Sequence, residues 1–146
     1  MNRDRLESIL NVLQGDVLTG EAKKSILLID DDPIVLKSLS KLLEKNGYLV
    51  QAFQDPREAV EQALIEDFDL VVTDVRMPHI DGVQAIRYIR EVRSQKAMPA
   101  IPEVVITGYA KEEAVEELNV AGFLHKPFDQ KEFLEVIAEA LSKGDN

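Results

Sequence analysis

Between Ser25 and Leu141 the chain repeats one alternation five times: a short branched apolar run, then a segment whose apolar residues recur at helical spacing. The apolar runs are Ile26-Leu27-Leu28-Ile29, Tyr48-Leu49-Val50, Leu70-Val71-Val72, Val104-Val105-Ile106 and Phe123-Leu124. Runs this short and this apolar suit strands buried on both faces. Helical stripes follow at Val35, Leu39 and Leu42, at Val60, Ala63 and Leu64, and at Leu134, Ile137, Ala138 and Leu141. Asp32-Pro33 and Asp55-Pro56 each read as an N-cap with proline in the first helical position. Asp55 with Glu58, and Asp129 with Glu132, have the spacing of a capping box. Gly47 is placed to end the first core helix. Successive strand–helix units require a parallel sheet with helices on both faces, because the crossovers are right-handed. The expected fold class is therefore α/β. Pro99 and Pro102 mark an irregular excursion in the stretch Arg93 to Pro102.

Residues 1–24 stand apart from this pattern as a helical extension, with the main domain expected over 25–143. Leu6, Ile9, Leu10, Leu13 and Val17 share one helical face before Gly15 and Gly20 interrupt it. Two readings stand side by side: a helix or frayed tail belonging to its own domain, and a helix for homodimerisation or docking.

Composition narrows the function classes. A net charge of -10 repels phosphate backbones, so direct nucleic-acid binding is not expected. No apolar run is long enough to span a bilayer, and the N-terminus lacks the apolar core of a secretion signal. Cysteine is absent, which excludes disulfides and thiolate metal sites and agrees with a cytoplasmic setting.

In a parallel sheet all strands finish at the same end, and ligands bind there where the strand order reverses. The residues that follow the strands are chemically complementary. Asp30, Asp31 and Asp32 follow the first, Asp74 closes the third, Thr107 closes the fourth, and Lys126 follows the fifth through His125. Each has an ordinary reading alone. Asp32 reads as the cap of the next helix, Asp30, Asp31 and Asp74 as loop acids, Thr107 as a strand terminator, and Lys126 as a surface lysine. Together they describe a site. Converging carboxylates repel, so a hard divalent cation such as Mg²⁺ is expected among them. A cation, a lysine and a hydroxyl around one carboxylate are what phosphoryl transfer needs, and a carboxylate nucleophile gives an acyl phosphate.

These residues resemble the receiver domain of two-component response regulators. The resemblance is carried by Leu27-Leu28-Ile29-Asp30-Asp31-Asp32-Pro33, Asp69-Leu70-Val71-Val72-Thr73-Asp74-Val75-Arg76-Met77-Pro78, Asp81-Gly82, Val105-Ile106-Thr107-Gly108 and Lys126-Pro127-Phe128. It implies a flavodoxin-like doubly wound sheet with strand order 2-1-3-4-5. It implies that Asp74 takes a phosphoryl group from a histidine kinase or a histidine phosphotransfer protein. Asp31 would be a direct Mg²⁺ ligand beside Asp74, Asp30 would act through water, and Arg76 would offer its main-chain carbonyl. Thr107 would be the switch hydroxyl, Phe123 the aromatic that turns inward, and Lys126 the charge on the phosphate, with a cis bond to Pro127. A downstream protein would read the face built from the fourth helix, fifth strand and fifth helix, roughly Ala110 to Leu141. The chain would be a signalling switch and not a metabolic enzyme, catalysing only its own phosphorylation and dephosphorylation. No DNA-binding output domain is expected, leaving either action through protein contacts alone or a piece of a longer regulator or hybrid kinase.

A rival reading is a small haloacid-dehalogenase-like phosphatase, which also uses an aspartate nucleophile and Mg²⁺. Asp30 and Asp32 have its D-x-D spacing. That family needs a further acidic pair after its lysine, and Lys126 is followed only by Pro127-Phe128-Asp129 and a terminal helix. A flavin-binding flavodoxin would need a hydroxyl-rich phosphate loop where three aspartates stand.

Overall fold

The computed structural model describes residues 22–108 and 113–144. The apolar stripe of the N-terminal extension, and Tyr109 to Glu112, lie outside the described residues. Among the described residues ten elements alternate, strand then helix. They are β1 (Ser25–Ile29), α1 (Pro33–Lys45), β2 (Leu49–Phe53), α2 (Pro56–Ala63), β3 (Leu70–Asp74), α3 (Gly82–Gln95), β4 (Glu103–Thr107), α4 (Glu113–Leu118), β5 (Gly122–His125) and α5 (Gln130–Gly144). The five strands form one parallel sheet in the order β2-β1-β3-β4-β5. The α/β class expected from the alternation, and the doubly wound order 2-1-3-4-5 implied by the resemblance, are thus the fold observed.

The apolar runs are strands because both of their faces are covered. Ile26 and Leu28 face the layer of α1 and α5, where they meet Leu39, Leu43, Phe133 and Ile137. Leu27 and Ile29 face the opposite layer and meet Ala59, Val60, Ala85 and Ile89. All four β1 side chains are at most 1% exposed. Each such burial contributes roughly 1.5–3 kcal/mol. The strand's period of two therefore divides one apolar run between two cores.

The helix signals are met with two differences. The Asp32 carboxylate accepts from the amides of Ile34 and Val35, and Gly47 ends α1 with φ of +90°, a backbone angle that favours glycine. Asp129 accepts the Glu132 amide at 2.8 Å, as its spacing implied. Asp55 caps α2 by accepting the Arg57 amide, and its carboxylate is also gripped by the Arg57 side chain. Arginine thus takes the place at Asp55 that the capping-box spacing gave to Glu58. The complete capping box instead lies at Asp81 and Gln84, opening α3.

The excursion before β4 begins as α3 ends. Ala97 turns with φ of 55°, and no regular element resumes until Glu103. Arg93, still within α3 and only 2% exposed, organises this end of the molecule. Its guanidinium donates to the carbonyls of Pro99, Ala63 and Glu66 and to the Asp67 carboxylate. One side chain thereby satisfies carbonyls left over at the end of α2 and in the excursion.

Candidate functional site

The register of the sheet assembles the site. Ile29 pairs with Thr73, so the next residues, Asp30 and Asp74, stand abreast. Asp74 pairs with Ile106, so Thr107 lies one step beyond it. Thr107 pairs with His125, so Lys126 lies one step beyond that. The Lys126 amide donates to the Thr107 carbonyl at 2.8 Å. The candidate residues form a staircase across four parallel strands, each held by main-chain bonds of its neighbours.

Asp30, Asp31 and Asp74 each offer a carboxylate oxygen within 4.8 Å of the other two. The Lys126 ammonium donates to Asp74 Oδ2 at 2.8 Å. The other Asp74 oxygen accepts the Arg76 amide at 3.2 Å, which brings the backbone at residue 76 against the acid. Asp30 is 2% exposed. Its Oδ1 accepts the Asp32 amide at 2.9 Å, while its buried Oδ2 has no hydrogen-bond partner among the described residues. An unpartnered buried carboxylate oxygen is costly, and oxygen ligands around it are the natural environment of a hard cation. The donor set and the unpartnered oxygen therefore fit Mg²⁺.

The electrostatics carry the same signature. Burial is the main reason the Asp30 carboxyl is raised from 3.8 to about 6; the Asp32 amide opposes the shift, Asp74 and Asp31 add to it, and Lys126 opposes it. Burial pulls the Lys126 ammonium down, but its hydrogen bond to Asp74 and the charges of Asp74, Asp30 and Asp31 outweigh burial and leave it raised.

Support for the acid comes from Gly82 and Thr73, residues outside the set of terminal acids, hydroxyl and lysine. Gly82 opens α3 directly behind Asp74. A Cβ at this position would lie 2.3 Å from the Asp74 carbonyl oxygen, an impossible approach. The Gly82 amide donates to the Val75 carbonyl at 2.9 Å, and the Thr73 hydroxyl donates to the Asp74 carbonyl at 2.9 Å. The start of a helix is thus pressed onto the end of the strand that carries the acid. The signal was present as Asp81-Gly82, a cap followed by the one residue without a side chain.

Of the remaining sequence candidates, Thr107 is buried and Arg76 is exposed. Phe123 is 38% exposed and faces outward on β5, its ring near-parallel to that of His125 at a centroid separation of 6.5 Å. The peptide bond between Lys126 and Pro127 is cis. Asp32 is engaged in capping α1, which removes the second acid of a D-x-D phosphatase pair.

Known proteins agree with this geometry. The model of the response regulator receiver domain matches residues 26–138. An uncharacterized 14.6 kDa protein of Leptolyngbya boryana is 34% identical over 121 residues, which are 81% of this chain and 90% of that protein. Transcriptional regulatory protein GlrR of Escherichia coli (strain K12) is 33% identical over 122 residues, 82% of this chain. The chain spans only 26% of GlrR. Among solved structures, a CheY-like receiver domain protein from Methanospirillum hungatei JF-1 superposes with a TM-score of 0.74 at 28% identity, covering 85% of this chain and 98% of that one. A parallel sheet in the order 2-1-3-4-5, an acidic cluster at the ends of its central strands and a family match over most of the length lead to one assignment: the chain belongs to the response regulator receiver domain family of two-component signalling.

Proposed function

We propose that Asp74 accepts a phosphoryl group from the phosphohistidine of a histidine kinase or histidine phosphotransfer protein. The observation that carries this reading is the Asp74 carboxylate set between two other acids and the Lys126 ammonium, 2.8 Å away. An Asp74 oxygen forms a bond to phosphorus as the bond from phosphorus to the donor imidazole breaks. Lys126 balances charge on the phosphoryl oxygens, and Asp31 and Asp74 would hold Mg²⁺ directly, with Asp30 acting through water and residue 76 offering its main-chain carbonyl. Bound Mg²⁺ would supply charge neutralisation for the transferring oxygens. Water attack on phosphorus later frees Asp74 and resets the switch, so the chain turns over no metabolic substrate.

The phosphoryl group places about two negative charges beside Thr107 and Lys126 in place of the single charge of the Asp74 carboxylate. The Thr107 hydroxyl donates to a phosphoryl oxygen, and Phe123 turns inward into the space it leaves. The equilibrium between two forms of the α4-β5-α5 face shifts, and a downstream protein reads the change. Action in the cytoplasm suits this chemistry; no helix among the described residues is long and apolar enough to cross a membrane. Direct binding to nucleic acid is not part of the reading. Homodimerisation through residues 1–24 would be a separate property, checked by cross-linking the full chain against a chain beginning at Glu21.

The test is intact mass after incubation with Mg²⁺ and a small acyl-phosphate donor. One labile phosphoryl adduct is expected, absent in Asp74→Asn and after chelation. Equal labelling of Asp74→Asn would remove Asp74 from this role. Turnover of generic phosphate esters dependent on Asp30 or Asp32 would revive the phosphatase reading.

A further inference from the structure

The helix α4, six residues long, is held at its C-terminal end by a second arginine device that the site does not use. Arg90, on α3, forms a two-pronged ion pair with Glu103: Nε to Oε2 and Nη2 to Oε1, both at 2.7 Å. Its third nitrogen, Nη1, donates to the carbonyl of Leu118, the last residue of α4, at 2.7 Å. Glu103 is 6% exposed and opens β4, the strand that ends at Thr107. The Glu103 main-chain carbonyl accepts the Ala121 amide at 2.9 Å, on the far side of the turn that leaves α4. In that turn Asn119 adopts φ of 53°, and Lys143 of α5 donates to the Ala121 carbonyl at 2.8 Å. One glutamate therefore closes a ring around residues 118–121, through its carboxylate and Arg90 on one side and through its carbonyl on the other.

Charge-assisted, two-pronged bonds of this length are strong and directional, and the Glu103 carboxylate is shielded from solvent. Leu118 and Val115 are both buried against Val105 and Ile86, so α4 is seated in the core along the face that carries them, and what distinguishes its C-terminal end is the Arg90 bond. Against this, Arg87 and Glu117 approach only at 3.9 Å, with both side chains more than half exposed. A contact of that kind contributes little.

We infer that Arg90 and Glu103 are positioning residues that make the C-terminal end of α4 a fixed pivot, so that switching at Thr107 reaches the α4 face as rotation about residues 118–121. The inference rests on the receiver reading above for its switching half. Its anchoring half stands on the contacts alone. The consequence is directional: displacement should be largest at the start of α4 and should vanish at Leu118. Arg90 touches no part of the acidic site, so its loss should leave the chemistry at Asp74 intact and alter only how the change is transmitted.

The test is amide hydrogen exchange by mass spectrometry on the full chain with Mg²⁺, with and without beryllofluoride as a phosphoryl mimic. In the wild type, beryllofluoride should change exchange over residues 107–115 and leave 118–121 unchanged. In Arg90→Gln without the mimic, amides of 116–121 should exchange at least tenfold faster while β1 and β3 keep their protection, which certifies the fold. Adding beryllofluoride should then extend the change through 118–121. Arg90→Lys, which keeps charge but loses the fork, should lie between. Acyl-phosphate labelling of Asp74 should be the same in all three chains. Unchanged exchange of 116–121 in a folded Arg90→Gln would overturn the anchor, and equal wild-type responses at 107–115 and 118–121 would overturn the pivot. No response anywhere to beryllofluoride would overturn the receiver reading and the pivot with it, while the comparison without the mimic would still decide the anchor.

Discussion

The two ends of this sheet are built on opposite principles. At the end where the strands begin, charge is matched. Arg93 is buried with its donors on carbonyls and on Asp67, Arg90 meets Glu103 in a fork, and Asp69 accepts both the amide and the hydroxyl of Ser25. At the end where the strands finish, charge is crowded. Three acids share one pocket, Asp30 Oδ2 is buried without a partner among the described residues, and the Asp30 carboxyl is raised to about 6. Matched charges hold a structure still. On the proposed reading, crowded acids keep a place for a cation and a phosphoryl group at the cost of some stability in their absence.

The sharpest way to break this contrast is Arg93→Ala. It leaves the Pro99 and Ala63 carbonyls without a donor and opens a cavity in place of a 2% exposed side chain. A loss of about 3–5 kcal/mol is expected in urea unfolding. A loss below about 1 kcal/mol would mean that the buried guanidinium is not the clamp its contacts indicate.

Asp30→Asn should move the other way. A carboxyl raised from 3.8 unfolded to about 6 folded binds its proton more tightly in the folded chain. Its ionisation therefore opposes folding. The effect is absent below pH 3.8, grows as pH rises to about 6, and is complete above that. Without Mg²⁺ at neutral pH, the variant should gain stability by an amount on the order of 1–3 kcal/mol, and its stability should no longer decline across that window. With saturating Mg²⁺ the order should reverse, because the wild type alone keeps the full ligand set. A metal-free Asp30→Asn as unstable as Arg93→Ala would erase the distinction between the ends.

Gly82→Ala tests how closely the acidic end is supported. The added methyl meets the Asp74 carbonyl at 2.3 Å, so the strand end or the helix start must shift. A loss of about 1–3 kcal/mol is expected, with slower acyl-phosphate labelling of Asp74 even in the folded fraction. Normal labelling would show that the site tolerates displacement of its support. At the small end of the scale, Arg57→Ala removes an ion pair with Asp55 in which Arg57 is more than half exposed. The unfolding midpoint should not move measurably, since the main-chain amide of residue 57 still donates to the Asp55 carboxylate.

The two ends also differed in how far they could be read in the sequence. The acidic end was legible because its residues are terminal: each follows an apolar run, and a parallel sheet sends every such terminus to one place. Asp30, Asp31, Asp74 and Lys126 needed only strand order to converge. The arginine end was hidden because Arg93, taken alone on a helix, looks like any solvated arginine. A signal existed in its phase. Ile86, Ile89 and Arg93 fall at i, i+3 and i+7, which places a charge on the apolar stripe of α3. Arg90 and Glu103 sit thirteen residues apart across an irregular excursion, and no local pattern joins them. The raised carboxyl of Asp30 was legible as repulsion among acids, but its leading cause is burial, which only the packed layers supply.

The strand order has a consequence for who can touch what. Asp30 and Asp31 follow β1 and Asp74 ends β3, each strand with a neighbour on both sides, while Phe123 lies on β5 and Lys126 follows it, and among the described residues β5 borders β4 alone. On the proposed reading, chemistry occupies the interior of the row and readout its margin. A visitor lying along the free side of β5 meets Phe123 and His125 at the surface while the core of the row stays out of its reach. On that same reading sender and listener have separate stations, and the message between them would pass through the rungs of the ladder.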